Sequence, residues 1–117
     1  MADLDLRART KQFALRTVRL FGRLPTTSEA QVIGKQLLRS GTSVAANYRE
    51  SCRARSDAEM LAKLGIVEQE LDESILWLEL LGDAEILRAE LLQDILDEAE
   101  QLLRMTVSSI KTLKSHR

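Results

Sequence analysis

The chain has almost none of the residues that sulfur or imidazole chemistry needs. Its 117 residues include one cysteine, Cys52, and one histidine, His116. A single cysteine excludes an intrachain disulfide and any cysteine-based zinc site. A single histidine leaves no material for a histidine metal centre, and a serine triad has little to draw on. Proline occurs once, at Pro25, glycine five times, and aromatic residues make up 3%. So few breakers leave room for long uninterrupted elements. The glycines form no phosphate-cradling pattern. No run of about 18 apolar residues occurs, so no bilayer span is expected. The opening residues, MADLDLRART, contain no apolar stretch and no cleavage site, so no secretory signal is expected and a reduced cytoplasmic protein is the default.

What is present favours helix. Apolar residues make up 44%, charged residues 30%, and leucine occurs 21 times, a composition suited to long helices in one domain spanning 1–117. The net charge of −1 is too small, and the apolar content too high, for disorder. That near-neutral sum hides an asymmetry. Residues 1–60 carry 11 basic and 6 acidic side chains, residues 61–100 carry 2 and 12, and residues 101–117 carry 4 and none.

Apolar spacing at i, i+3 and i+4 marks four amphipathic segments. The first, about 3–21, has a face of Leu6, Thr10, Phe13, Ala14, Thr17 and Phe21; Asp3 and Asp5 suit its positive end. The second, 28–54, follows possible caps at Thr26, Thr27 and Ser28. Its face is Ile33, Leu37, Gly41, Val44, Ala45, Tyr48 and Cys52, which makes Cys52 a small buried hydrophobe. Gly34 and Gly41 each cost such a helix about 1 kcal/mol against alanine. The third, 56–82, opens on a capping box of Ser56 and Glu59 and carries Met60, Leu64, Val67, Leu71, Ile75 and Leu78; Gly82 and Asp83 stop it. The fourth, 88–113, presents Leu92, Ile95, Leu96, Ala99, Leu102, Leu103, Thr106, Ile110 and Leu113. Four such helices on short loops predict an all-α, antiparallel up-down-up-down four-helix bundle.

Two helices carry more than a bundle core requires. Opposite its core stripe, the second helix holds Gln36, Arg39, Ser40, Ser43, Asn47 and Glu50, where small side chains would admit another backbone and the others supply directional hydrogen bonds. Beside its own stripe, the third holds Ile66, Glu70, Glu73, Trp77 and Leu80, an apolar patch among carboxylates of the kind that marks a partner contact. No enzyme chemistry is legible. Glu70 and Glu73 lack the companion carboxylates and Glu-x-x-His motifs of a di-metal bundle, and nothing positions Lys35 as a base for Ser40 or Ser43. No catalytic residue and no cofactor is expected.

The run from Gln36 through Leu37, Arg39, Ser40, Ser43 and Asn47 to Glu50 resembles the signature of the bacterial four-helix bundle proteins encoded in 23S rRNA intervening sequences. A second run, from Ser56, Glu59 and Met60 through Lys63, Leu64, Glu70 and Glu73 to Trp77-Leu78-Glu79-Leu80-Leu81, resembles that family's third helix. Ser51 stands where members often have glycine, and Met60 where an aromatic is usual. The family is similar to the accessory variability proteins of diversity-generating retroelements, which form barrel-like homopentamers and bind reverse transcriptase and nucleic acid. The resemblance implies a ring-shaped homo-oligomer, a pentamer, and the differing surplus faces of helices two and three suit heterologous contacts that close such a ring, with Arg39 expected to reach Glu70 or Glu73 across the interface.

In an up-down bundle the start of helix one, the turn between helices two and three and the end of helix four share one end. That end collects Arg7, Arg9, Lys11, Arg49, Arg53, Arg55, Lys63, Arg104, Lys111, Lys114 and Arg117 against Asp3, Asp5, Glu50, Asp57 and Glu59. Arg7, Lys11, Arg49, Arg53, Arg55, Lys111 and Lys114 are the candidate contacts for RNA or DNA, through phosphates rather than stacked bases because there are almost no aromatics there. Two readings therefore stand: a non-enzymatic homo-oligomer that binds nucleic acid or a ribonucleoprotein, and a structural or adaptor ring with protein partners only. Neither involves a membrane or a small-molecule substrate.

Overall fold

The helices form where the apolar repeats lie and end where their side chains stop supporting them. The computed structural model describes residues 2–116, with side chains from Leu6 to His116; the side-chain roles expected of Asp3, Asp5 and Arg117 lie outside that described range of side chains. The elements are α1 (Ala2–Gly22), α2 (Ser28–Cys52), α3 (Asp57–Asp83) and α4 (Ala89–Ser115). Thr27 caps α2, its hydroxyl accepting from the Ala30 N–H at 3.4 Å. Ser56 caps α3, accepting from the Glu59 N–H at 3.1 Å. The Glu59 carboxylate reaches back one residue beyond the cap, to the Arg55 N–H at 3.4 Å, and so satisfies a second orphan donor. α3 ends at Asp83, at the expected stop of Gly82 and Asp83, with Gly82 itself still helical, and the chain reverses at Glu85, whose φ is 58°. The Ile86 and Leu87 N–H groups then donate to the Leu81 carbonyl at 3.0 and 3.2 Å.

The fold is all-α, a four-helix bundle in which each helix packs on its two neighbours in the order α1, α2, α3, α4 and back to α1. The pairings run antiparallel. Arg39 of α2 meets Glu70 and Glu73 of α3, while nearer the turn Glu50 meets Lys63. The molecule is a rod of 48 × 21 × 19 Å, as expected of helices of 27 residues that each run to about 40 Å.

The core follows a strict seven-residue repeat. Buried positions are Leu6, Thr10, Phe13, Thr17 and Leu20 in α1 and Ala30, Gly34, Leu37, Gly41, Val44, Tyr48 and Ser51 in α2. In α3 they are Leu64, Val67, Leu71, Ser74, Leu78 and Leu81, and in α4 Leu92, Ile95, Ala99, Leu102 and Thr106. Apart from Ser40, which is buried beside this stripe against α3, steps alternate between three and four residues, the pattern of a left-handed coiled bundle. A straight 3.6-residue helix drifts about 20° per heptad from this repeat. Three expectations are corrected as a result. Leu20 rather than Phe21 takes the buried place in α1, and Ser74 rather than Ile75 in α3. In α2 the last core place belongs to Ser51, and Cys52 is an exposed free thiol.

The buried polar residues all carry hydroxyls: Thr10, Thr17, Ser40, Ser51, Ser74 and Thr106. Each hydroxyl bonds a carbonyl three or four residues back in its own helix, for example Thr17 to Ala14 at 2.7 Å and Ser51 to Tyr48 at 2.6 Å. A hydroxyl satisfied within its own helix can occupy an apolar interior without a large desolvation cost. The two core glycines of α2 are places of close approach. A Cβ on Gly41 would lie 2.5 Å from Thr17 Cγ2, and one on Gly34 would lie 2.3 Å from Leu24 Cδ1.

Candidate functional site

The signature residues of α2 meet α3 in one polar seam. At its buried edge the Ser40 and Ser74 hydroxyls lie 2.8 Å apart. Their own-helix acceptors are the carbonyls of Leu37 and Glu70, at 3.3 and 2.8 Å. One turn outward, Ser43 donates to Glu70 Oε2 at 3.1 Å, and Asn47 donates to the Ser43 hydroxyl at 2.9 Å and to its carbonyl at 3.0 Å. At the solvent edge, Arg39 Nη1 reaches Glu70 Oε2 at 3.2 Å and Nη2 reaches Glu73 Oε1 at 2.6 Å. Glu70 is 14% exposed, Arg39 52%. The charge of Glu70 is the main cause raising the Arg39 pKa above its ordinary value; slight desolvation opposes it, and the hydrogen bonds to Glu70 and Glu73 reinforce it.

Within the chain this network already engages residues that were expected at a subunit contact. Arg39 finds Glu70 and Glu73 in its own chain, because the antiparallel register of α2 and α3 puts the two surplus faces opposite each other. Ser40 is fully buried and cannot line an outer surface. Ser43 and Asn47 bond each other and Glu70, and Glu50 pairs with Lys63 at 2.6 Å. Gln36 remains exposed, Ile66 is 36% exposed, and Leu80 is half-buried. Trp77 packs against the core. Its indole N–H is buried without a hydrogen-bond partner, the one such side-chain atom among the described residues. Chemically the seam is a closed set of donors and acceptors. Ser43 gives its proton to the Glu70 carboxylate, while Ser40 and Ser74 share two protons among their own-helix carbonyls and each other.

The bundle brings the expected basic residues to one end. Arg7, Lys11, Arg49, Arg53, Arg55, Lys111 and Lys114 are all exposed and make no ion pair among the described residues. Two other cations of that end are neutralised: Lys63 by Glu50, and Arg9 by Glu98 at 2.7 Å. Between the end of α2, the start of α3 and the end of α4 lies an open pocket of about 410 Å³ with Met60 and Leu64 on one wall and Ser108, Ser109 and Thr112 on another. Nothing in the sequence spacing signalled it, because it exists only where three helix ends splay. No group of three or more histidine, cysteine, aspartate or glutamate side chains is arranged to hold a metal ion among the described residues. No helix among them is long and apolar enough to cross a membrane.

Comparison with known proteins agrees with the signature residues. A crystal structure of a protein of unknown function from the S23 ribosomal protein family, from Bacteroides thetaiotaomicron VPI-5482, superposes with a TM-score of 0.89 at 36% identity. The match covers 95% of this chain and 99% of that one. No curated protein matches. The model of the 23S rRNA-intervening sequence protein family matches residues 2–108, and the chain belongs to that family.

Proposed function

We propose that this protein is a non-enzymatic, self-associating helical bundle that binds nucleic acid or a ribonucleoprotein through its basic end. The observation that carries the reading is the set of seven exposed, unpaired cations contributed by three helices and one turn. A cation without a carboxylate partner is free to displace counterions from phosphates, and that release drives sequence-tolerant binding. Self-association multiplies the effect by setting several such ends side by side. A closed pentamer is the assembly that the resemblance to the retroelement accessory proteins favours.

The test is a gel-shift series between about 50 and 200 mM salt with wild type and an Arg53→Glu/Arg55→Glu/Lys111→Glu variant. The expected result is wild-type retention of RNA or DNA that weakens steeply with salt and is lost in the variant. Equal retention by both proteins, or none by either, removes the basic end as the site; the second outcome favours an adaptor with protein partners only.

A further inference from the structure

Along the junction of α1 and α4 the same heptad position is treated in two ways. At one level Arg9 clasps Glu98 through two bonds, Nε to Oε2 at 3.0 Å and Nη2 to Oε1 at 2.7 Å. One repeat further along α1 stands Arg16, and one repeat earlier along α4, where another carboxylate would complete the pattern, stands Leu91. The junction opens there into a pocket of about 270 Å³ lined by Arg16, Arg19, Leu20, Arg23, Leu91 and Ile95. None of its three arginines has an ion pair or side-chain hydrogen bond among the described residues, and Asp94, the heptad counterpart of Gln101, pairs with none of them. Three arginines line this one pocket without a counter-charge, and like charges gathered so repel one another. Beside them Leu91 is 46% exposed. The pocket therefore presents two unmet demands, carboxylates in the Glu98 manner and an aliphatic side chain.

The chain itself carries a face that meets both. On the outward side of α3, Leu76 is 47% exposed, with Asp72, Glu79 and Asp83 within two turns of it, exposed and free of ion pairs among the described residues. Asp72 and Glu79 are seven residues apart, as are Arg16 and Arg23, so both pairs span about 10 Å of helix. We propose that the arginine pocket between α1 and α4 of one copy receives the acidic face of α3 of a second copy. Leu76 sits against Leu91, and the carboxylates of Asp72, Glu79 and Asp83 engage Arg16, Arg19 and Arg23. Arginine suits this role because its planar fork binds a carboxylate bidentately. The two faces differ and lie on different sides of the bundle, so each copy keeps one of each and the contact is heterologous, the kind that forms a ring when its rotation closes. This rests on the self-association proposed above and names its surfaces.

The experiment measures mass by light scattering at micromolar concentration, with helicity read by circular dichroism. Wild type should run at a multiple of 13.2 kDa. Arg16→Glu/Arg19→Glu/Arg23→Glu and Glu79→Arg/Asp83→Arg should each fall to the single-chain mass with helicity retained, and the combined five-fold variant should reassociate. A Leu76→Cys/Leu91→Cys pair in a Cys52→Ser background should cross-link between copies, a readout independent of charge reversal. A monomeric wild type overturns both this contact and the self-association it rests on. An assembled wild type whose mass survives either reversal, or whose cysteine pair fails to cross-link, overturns this contact alone. Loss of RNA retention in the arginine variant with assembly intact makes a nucleic acid the occupant of the pocket and overturns the proposal.

Discussion

Gly41 lies so close to Thr17 that a methyl group in place of its hydrogen would stand 2.5 Å from Cγ2, 2.8 Å from Oγ1 and 3.0 Å from Cβ of the threonine. Thr17 is β-branched and fully buried, with its hydroxyl committed to Ala14, so it has no rotamer to retreat into. Gly41→Ala should therefore destabilise the bundle by about 1–3 kcal/mol, despite alanine's better helix propensity. Gly34→Ala meets the far end of Leu24, which can swing away, and the edge of the Phe21 ring at 3.0 Å, and should cost less than Gly41→Ala. Thr17→Ala should recover most of the Gly41→Ala loss. Urea melts of the four proteins check this.

The hydroxyl pair of Ser40 and Ser74 gives a second expectation. Each retains a carbonyl of its own helix when the other is removed, so neither single alanine variant leaves a stranded donor. Ser40→Ala and Ser74→Ala should each cost about 1 kcal/mol. A double-mutant cycle should return a coupling of about 0.5–1 kcal/mol. A coupling near zero would show that the two hydroxyls only touch.

Arg39 acts within the subunit. Because it is half-exposed, Arg39→Ala should lower stability by no more than about 1 kcal/mol. Arg39→Glu sets a third carboxylate beside Glu70 and Glu73 and should cost more, about 1–2 kcal/mol at low salt. That extra loss should shrink as salt rises to about 1 M, where the screening length falls to about 3 Å. Thermal melts at low and high salt measure both.

Glu85 holds a left-handed backbone, with φ of 58°, that costs a residue bearing a Cβ about 1–2 kcal/mol. Glycine adopts it freely but loses more chain entropy on folding. Glu85→Gly should raise stability by up to about 1 kcal/mol, and Glu85→Val should lower it by a larger amount. Midpoints of chemical denaturation report the order.

The amino-acid sequence by itself determined the helical class, the four amphipathic segments and the Ser56 cap, and narrowed the cap of α2 to Thr26, Thr27 or Ser28, of which the structure uses Thr27. These depend on local spacing and on side chains within one turn of each other. It also marked Arg39, Ser40, Ser43, Asn47, Glu70 and Glu73 as more than solvated surface. What those residues contact was decided only by the tertiary structure. An apolar stripe read at 3.6 residues per turn differs from the 3.5-residue repeat of a coiled bundle by a few degrees per residue. Over a 25-residue helix that difference moves the last core place from Cys52 to Ser51. The antiparallel register of α2 against α3, set by which core layers interlock, then turns two seemingly surplus faces toward each other. The arginine pocket likewise follows from pairing: Arg16 is unmatched only because the packing of α1 on α4 brings Leu91, not a carboxylate, to its level.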